Sequence, residues 1–170
     1  MMIILDRRLF RLGLAIVAIV IVADQATKAI VMNVMEQHPF GIPILPVFSL
    51  VSAWNPGVSF SMFRDAGPLI LSVGAIAVAL GLIFWLTRIE NLLTALGVAL
   101  VAGGALGNVI DRIRAGAVFD FLDFYIRTAG GREWHWPAFN LADSAITVGV
   151  ILLLLDGLFH RTDRAKRKQS

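Results

Sequence analysis

The chemistry open to this chain is that of carboxylates. With no cysteine, it has no thiol nucleophile, thiolate metal site or disulfide. His38, His135 and His160 are scattered, without metal-ligand spacing or a serine partner. Asp143 stands near the start of an apolar stretch, with no basic residue within a helical turn. The segment before it offers Asp120, Asp123 and Glu133. Two carboxylates held close cannot both ionise, so they share a proton. One can then take a proton from water while the other donates to a carbonyl oxygen, which is hydrolytic chemistry. Asp120 and Asp123 each precede a phenylalanine, and spacing alone does not choose between them.

Further polar residues interrupt apolar surroundings. Asp24 and Lys28 are spaced i, i+4 and share a helix face, as do Asn108 and Arg112. Ionisable groups in membrane segments cost a few kcal/mol each, so they turn inward and pair. Structural clamping accounts for Lys28 and Arg112 as readily as chemistry does, but it accounts less well for Asp143.

The elements that position these residues are membrane spans. Of 170 residues, 58% are hydrophobic and only 16% charged, and the mean hydropathy is +0.79. One soluble core of this size could not bury so much apolar surface, whereas a bilayer accepts about 20 apolar residues per helix. The composition predicts a single membrane domain over 1–170, with spans at about 10–32, 68–87, 92–111 and 141–160. Arg7, Arg8 and Arg11 before the first run resemble a signal peptide, but the helical pattern continues to about Met32 without a clean cleavage site. Gly103, Gly104, Ala105 and Gly107 would let helices approach closely.

With four spans both termini share a side. Arg7, Arg8, Arg11, Arg88, Arg161, Arg164, Lys166, Arg167 and Lys168 fall on it, more basic residues than the other side carries. The positive-inside rule then puts both termini in the cytoplasm and the long loops, 33–67 and 112–140, outside. This distribution explains the pI near 10.0 without nucleic acid as a partner. The loops alternate β-branched and aromatic residues with prolines and glycines, which predicts a small β-containing extracytoplasmic platform with an aromatic belt. Residues 161–170 are expected to form a frayed cytoplasmic tail. Asp24, Lys28, Asn108, Asp111, Arg112, Asn140 and Asp143 all fall near the outer interface by topology alone. A transporter would gather such groups near the midplane, often between repeated halves, and no internal repeat is visible.

Five motifs occur in order: Asp24-Gln25-Ala26-Thr27-Lys28, Asn55-Pro56-Gly57-Val58-Ser59-Phe60, Gly104 to Arg112, Gly116-Ala117-Val118-Phe119-Asp120-Phe121, and Phe139-Asn140-Leu141-Ala142-Asp143-Ser144. With them the chain resembles the lipoprotein signal peptidases, also called signal peptidase II, from about Ala23 to Gly149. Pro56 and Ser59 depart from the residues more usual in that family. The resemblance implies an aspartyl endopeptidase of the bacterial inner membrane that needs no metal or cofactor. It would remove the signal peptide from prolipoproteins, just before a cysteine bearing diacylglycerol. It selects Asp120 over Asp123 as the partner of Asp143. It gives supporting roles to Asn108, Arg112 and Asn140, and assigns Asp24, Lys28, Asn55 and Gly57 to shaping the site and its lipid-binding surface. Membrane lipids and globomycin-type inhibitors are the other implied partners.

Overall fold

The computed structural model describes residues 7–57, 67–128 and 130–167. Val58, Ser59 and Phe60 of the second motif, together with Arg64 and Lys168, lie outside them. The elements are α1 (Arg7–Met35), β1 (Ile42–Leu45), β2 (Phe48–Asn55), α2 (Gly67–Leu86), α3 (Leu92–Ala115), β3 (Val118–Arg127), β4 (Glu133–His135) and α4 (Leu141–Arg167). All four helices contain stretches long and apolar enough to cross a membrane. A helix is the form such a run must take in lipid, because it satisfies its own backbone hydrogen bonds. Large apolar side chains such as Ile19, Leu69, Ile70 and Leu154 point outward from the bundle, as hydrocarbon allows.

Helix α3 is the hub, packed against α1, α2 and α4. Its small residues make this possible. A Cβ at Gly103 would lie 2.9 Å from the Cβ of Val20 on α1. Gly97 and Gly149 bring α3 and α4 together backbone to backbone: a Cβ on Gly149 would lie 2.7 Å from the Gly97 carbonyl oxygen. At Gly104 a Cβ would collide with the carbonyl oxygen of Ala142. The ends of α3 are defined locally. Asn91 caps the start, accepting from the Leu93 N–H at 2.9 Å. Gly116 stops the helix in the left-handed region at φ 73° and returns its N–H to Arg112. At the Asn91 end, Asp156 of α4 accepts from the Thr94 hydroxyl at 2.7 Å and from the Asn91 carboxamide.

The loops form one antiparallel sheet in the order β1-β2-β3-β4, the platform expected from the sequence. It sits at the end of the bundle where α1 and α3 finish and α2 and α4 begin. β2 and β3 pair Asn55 with Val118 and Ala53 with Asp120, and after a register shift Ser49 with Asp123. The helices run past the ends of the hydrocarbon-length spans. α3 continues from 111 to Ala115, as far as the Gly116 stop, and α4 remains helical to Arg167. The expected frayed tail is thus helical over 161–167, a stretch with Arg, Ala and Lys, which favour helix.

Candidate functional site

The polar residues converge at the sheet-bearing end of the bundle. Lys28 is 1% exposed and Asp24 fully buried. The Lys28 ammonium lies 2.8 Å from Asp24 and 2.7 Å from Asp111. The i, i+4 pair expected on α1 is therefore a triad that also engages α3. Asp24 accepts with its other oxygen from the Ala142 N–H, at 3.0 Å, in the first turn of α4. That is where a negative charge offsets unpaired N–H groups and the helix dipole. Asp111 accepts from the Phe119 N–H at 3.2 Å and so ties α3 to β3. The Gln25 carboxamide donates to Asp111 at 2.9 Å.

From Lys28 the order of donors and acceptors propagates outward. An ammonium only donates, so the Asn108 oxygen must face it, at 3.2 Å. The Asn108 nitrogen then faces Asp143 and donates to it at 2.8 Å. The same Asn108 oxygen accepts from the Asn140 nitrogen at 3.1 Å. This leaves the Asn140 oxygen to accept from the Asp143 N–H at 2.9 Å. In return Asp143 accepts from the Asn140 N–H at 3.2 Å. The stretch Asn140-Leu141-Ala142-Asp143 is thus a reciprocal N-terminal cap for α4. The Asn140 nitrogen also donates to Asp120, at 2.7 Å. One carboxamide therefore bridges β3 and the start of α4, reaching the Asp120 carboxyl and the Asp143 backbone.

Asp120, 3% exposed, also accepts from the Asn55 carboxamide at 3.2 Å. Burial, and then the negative charge of Asp143, push the Asp120 carboxyl up to about 7 against the pull of its Asn55 and Asn140 hydrogen bonds. Asn55 closes its own turn by accepting from the Gly57 N–H at 3.0 Å. Arg112 donates to the Gly57 carbonyl at 2.6 Å. Its Nε is buried with no hydrogen-bond partner among the described residues.

A cavity of about 570 Å³ opens over these groups, lined by Asn55, Asn108, Arg112, Asp120 and Asp143. Ala75 of α2, Ile146 and Val148 of α4, and the segment from Trp136 to Phe139 complete its wall. Asp24 and Lys28 do not line it; they stand behind it and hold the amides. All the site positions that the family resemblance implied are brought into one connected network. Asp111, placed at this end by topology but given no role, and Gln25 complete it. The sequence signal for Asp111 was present, since it shares its end of α3 with Asn108 and Arg112 and needs a buried partner. Asp123 lies elsewhere, hydrogen-bonded to Ser49 and His135. Among the described residues no three His, Asp or Glu side chains converge as a metal site would require.

Four helices of membrane-spanning length define a multi-pass membrane protein, with a cavity that two acids line at one end of the bundle. The family model described as signal peptidase (SPase) II matches residues 16–159, and the chain belongs to that family. Similar curated proteins are each named lipoprotein signal peptidase. One from Rhodopseudomonas palustris is 41% identical, over 87% of this chain and 92% of its own length. One from Nitrobacter hamburgensis is 41% identical, over 92% of this chain and 96% of its own. One from Paraburkholderia phytofirmans is 46% identical, over 85% and 83%. A solved structure of a bacterial membrane enzyme, determined by the in meso method, superposes with a TM-score of 0.77 at 28% identity, covering 89% of this chain and 90% of that one.

Proposed function

We propose that this chain is a lipoprotein signal peptidase that uses Asp120 and Asp143 as its acid–base pair. It removes the signal peptide from prolipoproteins carrying a diacylglyceryl cysteine, cutting just before that residue. The observation that carries this reading is the Asn140 carboxamide, which reaches Asp120 while sharing a reciprocal cap with Asp143 at one cavity. The name of the similar proteins supports the substrate class.

The pair holds one proton between its two carboxyls and titrates as a unit. The ionised carboxylate takes a proton from water as its oxygen attacks the scissile carbonyl carbon. The protonated carboxyl gives its proton to the carbonyl oxygen. The tetrahedral intermediate then collapses: the C–N bond breaks, the amine leaves with a proton, and a new carboxyl remains. Asn108 and Asn140 hold the acids in place, and the buried Arg112 Nε is free to donate to a substrate carbonyl oxygen. Asp24 and Lys28 fix the amides from behind. The apolar wall from α2 and α4 keeps the lipid in hydrocarbon while the backbone reaches the acids. The distribution of basic residues supports a site near the outer face of the bacterial inner membrane, with cytoplasmic termini. Globomycin-type inhibitors are expected to compete for this cavity.

The test is cleavage of a diacylglyceryl-modified precursor by the purified protein, beside the unlipidated form. The lipidated precursor is expected to be cut once, before its cysteine, and the unlipidated one spared. Asp120→Asn and Asp143→Asn should each lose cleavage while still unfolding in a single cooperative thermal transition. Near-normal turnover by either variant would remove that acid from the pair. Equal cutting of both precursors would remove the lipid from recognition.

A further inference from the structure

The wall segment after β4 is held by groups that the reaction does not use. β3 and β4 pair Tyr125 with His135, and the Trp136 N–H donates to the Phe124 carbonyl at 2.7 Å. Pairing resumes between Leu122 and Phe139. From Tyr125 to Leu122 is three steps along β3, yet from His135 to Phe139 is four. One extra residue must therefore leave the ladder between His135 and Phe139, as in a β-bulge. Pro137 sits within this stretch and has no N–H to leave unpaired there. Trp136, Pro137 and Ala138 all line the cavity. The extra residue thus gives the cavity a wall in the form of a strap anchored at both ends.

The anchor next to the bulge is a side-chain clasp. The His135 Nδ1 lies 3.0 Å and 2.9 Å from the two oxygens of Asp123, so that nitrogen carries the hydrogen. Asp123 is 5% exposed and accepts from the Ser49 hydroxyl of β2 at 3.0 Å. The clasp therefore spans β2, β3 and β4. The other charged groups facing His135 are Glu133 of β4, 3.5 Å from its Nε2, and Arg127 of β3, which donates to Glu133. Tyr125 stacks on the imidazole ring. Neither Asp123 nor His135 lines the cavity, so they act on it through the strap.

We propose that Asp123 and His135 are positioning residues for substrate: by clasping the strap Trp136–Ala138 they set the width of the cavity and the hold on the extended substrate around the scissile bond. This rests on the peptidase reading above. The clasp governs substrate affinity and leaves the acid pair alone, because the pair has its own support in Asn55, Asn108 and Asn140.

The experiment measures KM and kcat for the lipidated precursor with purified His135→Ala, Asp123→Asn and His135→Asn. His135→Ala is expected to raise KM about fivefold or more with kcat within about twofold. Asp123→Asn should retain clear activity with a smaller rise in KM. His135→Asn supplies an N–H near the position of Nδ1 and should recover most of the affinity. Hydrogen exchange at the Trp136 and Phe139 amides should quicken in His135→Ala and not in His135→Asn. Unchanged KM and exchange in His135→Ala overturn the clasp, and so does a loss confined to kcat. A wild-type chain that cuts no lipidated precursor overturns the peptidase reading instead, while the exchange data report on the strap by themselves.

Discussion

Asp120 pays for its position in ionisation. An unfolded aspartate ionises near 3.8, and the buried one near 7. Between those values the folded chain holds a proton that the unfolded chain releases, so stability falls as pH rises through the window. Asp120→Asn copies the protonated carboxyl in shape and cannot ionise. Its stability relative to the unaltered chain is therefore expected to rise as pH rises through that window, and then to level off. Thermal unfolding in detergent at pH 5 and pH 8 checks this, and a gap that narrows with pH would contradict it. The sequence pointed to a second acid beside Asp143 but not to which one. Asp120 and Asp123 are three apart on a strand, so alternation sends them to opposite faces. Which face meets the cavity depends on how β3 docks on α3 and α4, and that is long-range packing. The motif pattern supplied what local spacing could not.

At the scale of elements, the site depends on how closely α3 and α4 approach. Gly104 meets the backbone of Ala142, one residue from Asp143. A methyl there must push α4 away, because a carbonyl cannot rotate aside as a side chain can. Gly104→Ala is expected to cost about 1–3 kcal/mol and to lower cleavage by shifting Asp143 relative to Asp120. Gly81→Ala is its control, since a Cβ at Gly81 meets nothing within 4 Å. Equal thermal transitions and activities for the two variants would refute the close-approach account. The small-residue run around Gly104 was readable from the sequence as a packing surface, and the four spans were readable from hydropathy. The strap was not, because a one-residue bulge is a property of two strands in register, and β4 is only three residues long.

Taken whole, the molecule gathers Asp120 and Asp143 at one end of the bundle and carries Arg7, Arg8 and Arg11 at the other. A chain without cysteine suits the test of that arrangement. Arg132→Cys, beside the sheet, and Glu90→Cys, between α2 and α3, replace exposed residues at opposite ends of the bundle. In intact spheroplasts an impermeant maleimide is expected to label the first and spare the second until the membrane is opened. The reverse pattern would invert the proposed orientation. The hydrogen bond from the Ala142 N–H to Asp24 also bears on biogenesis. It joins the first of these helices to be synthesised to the last. Asp24 and Lys28 enter the bilayer with α1, ahead of Asp111 on α3 and the amide on α4 that complete their neutralisation. Helices insert first and assemble afterwards, so a nascent chain still lacking α4 holds Asp120 but neither Asn140 nor Asp143. On the proposed pairing of Asp120 with Asp143, such a chain is inactive, and the arrival of α4 both supplies the N–H that Asp24 accepts and brings the second acid.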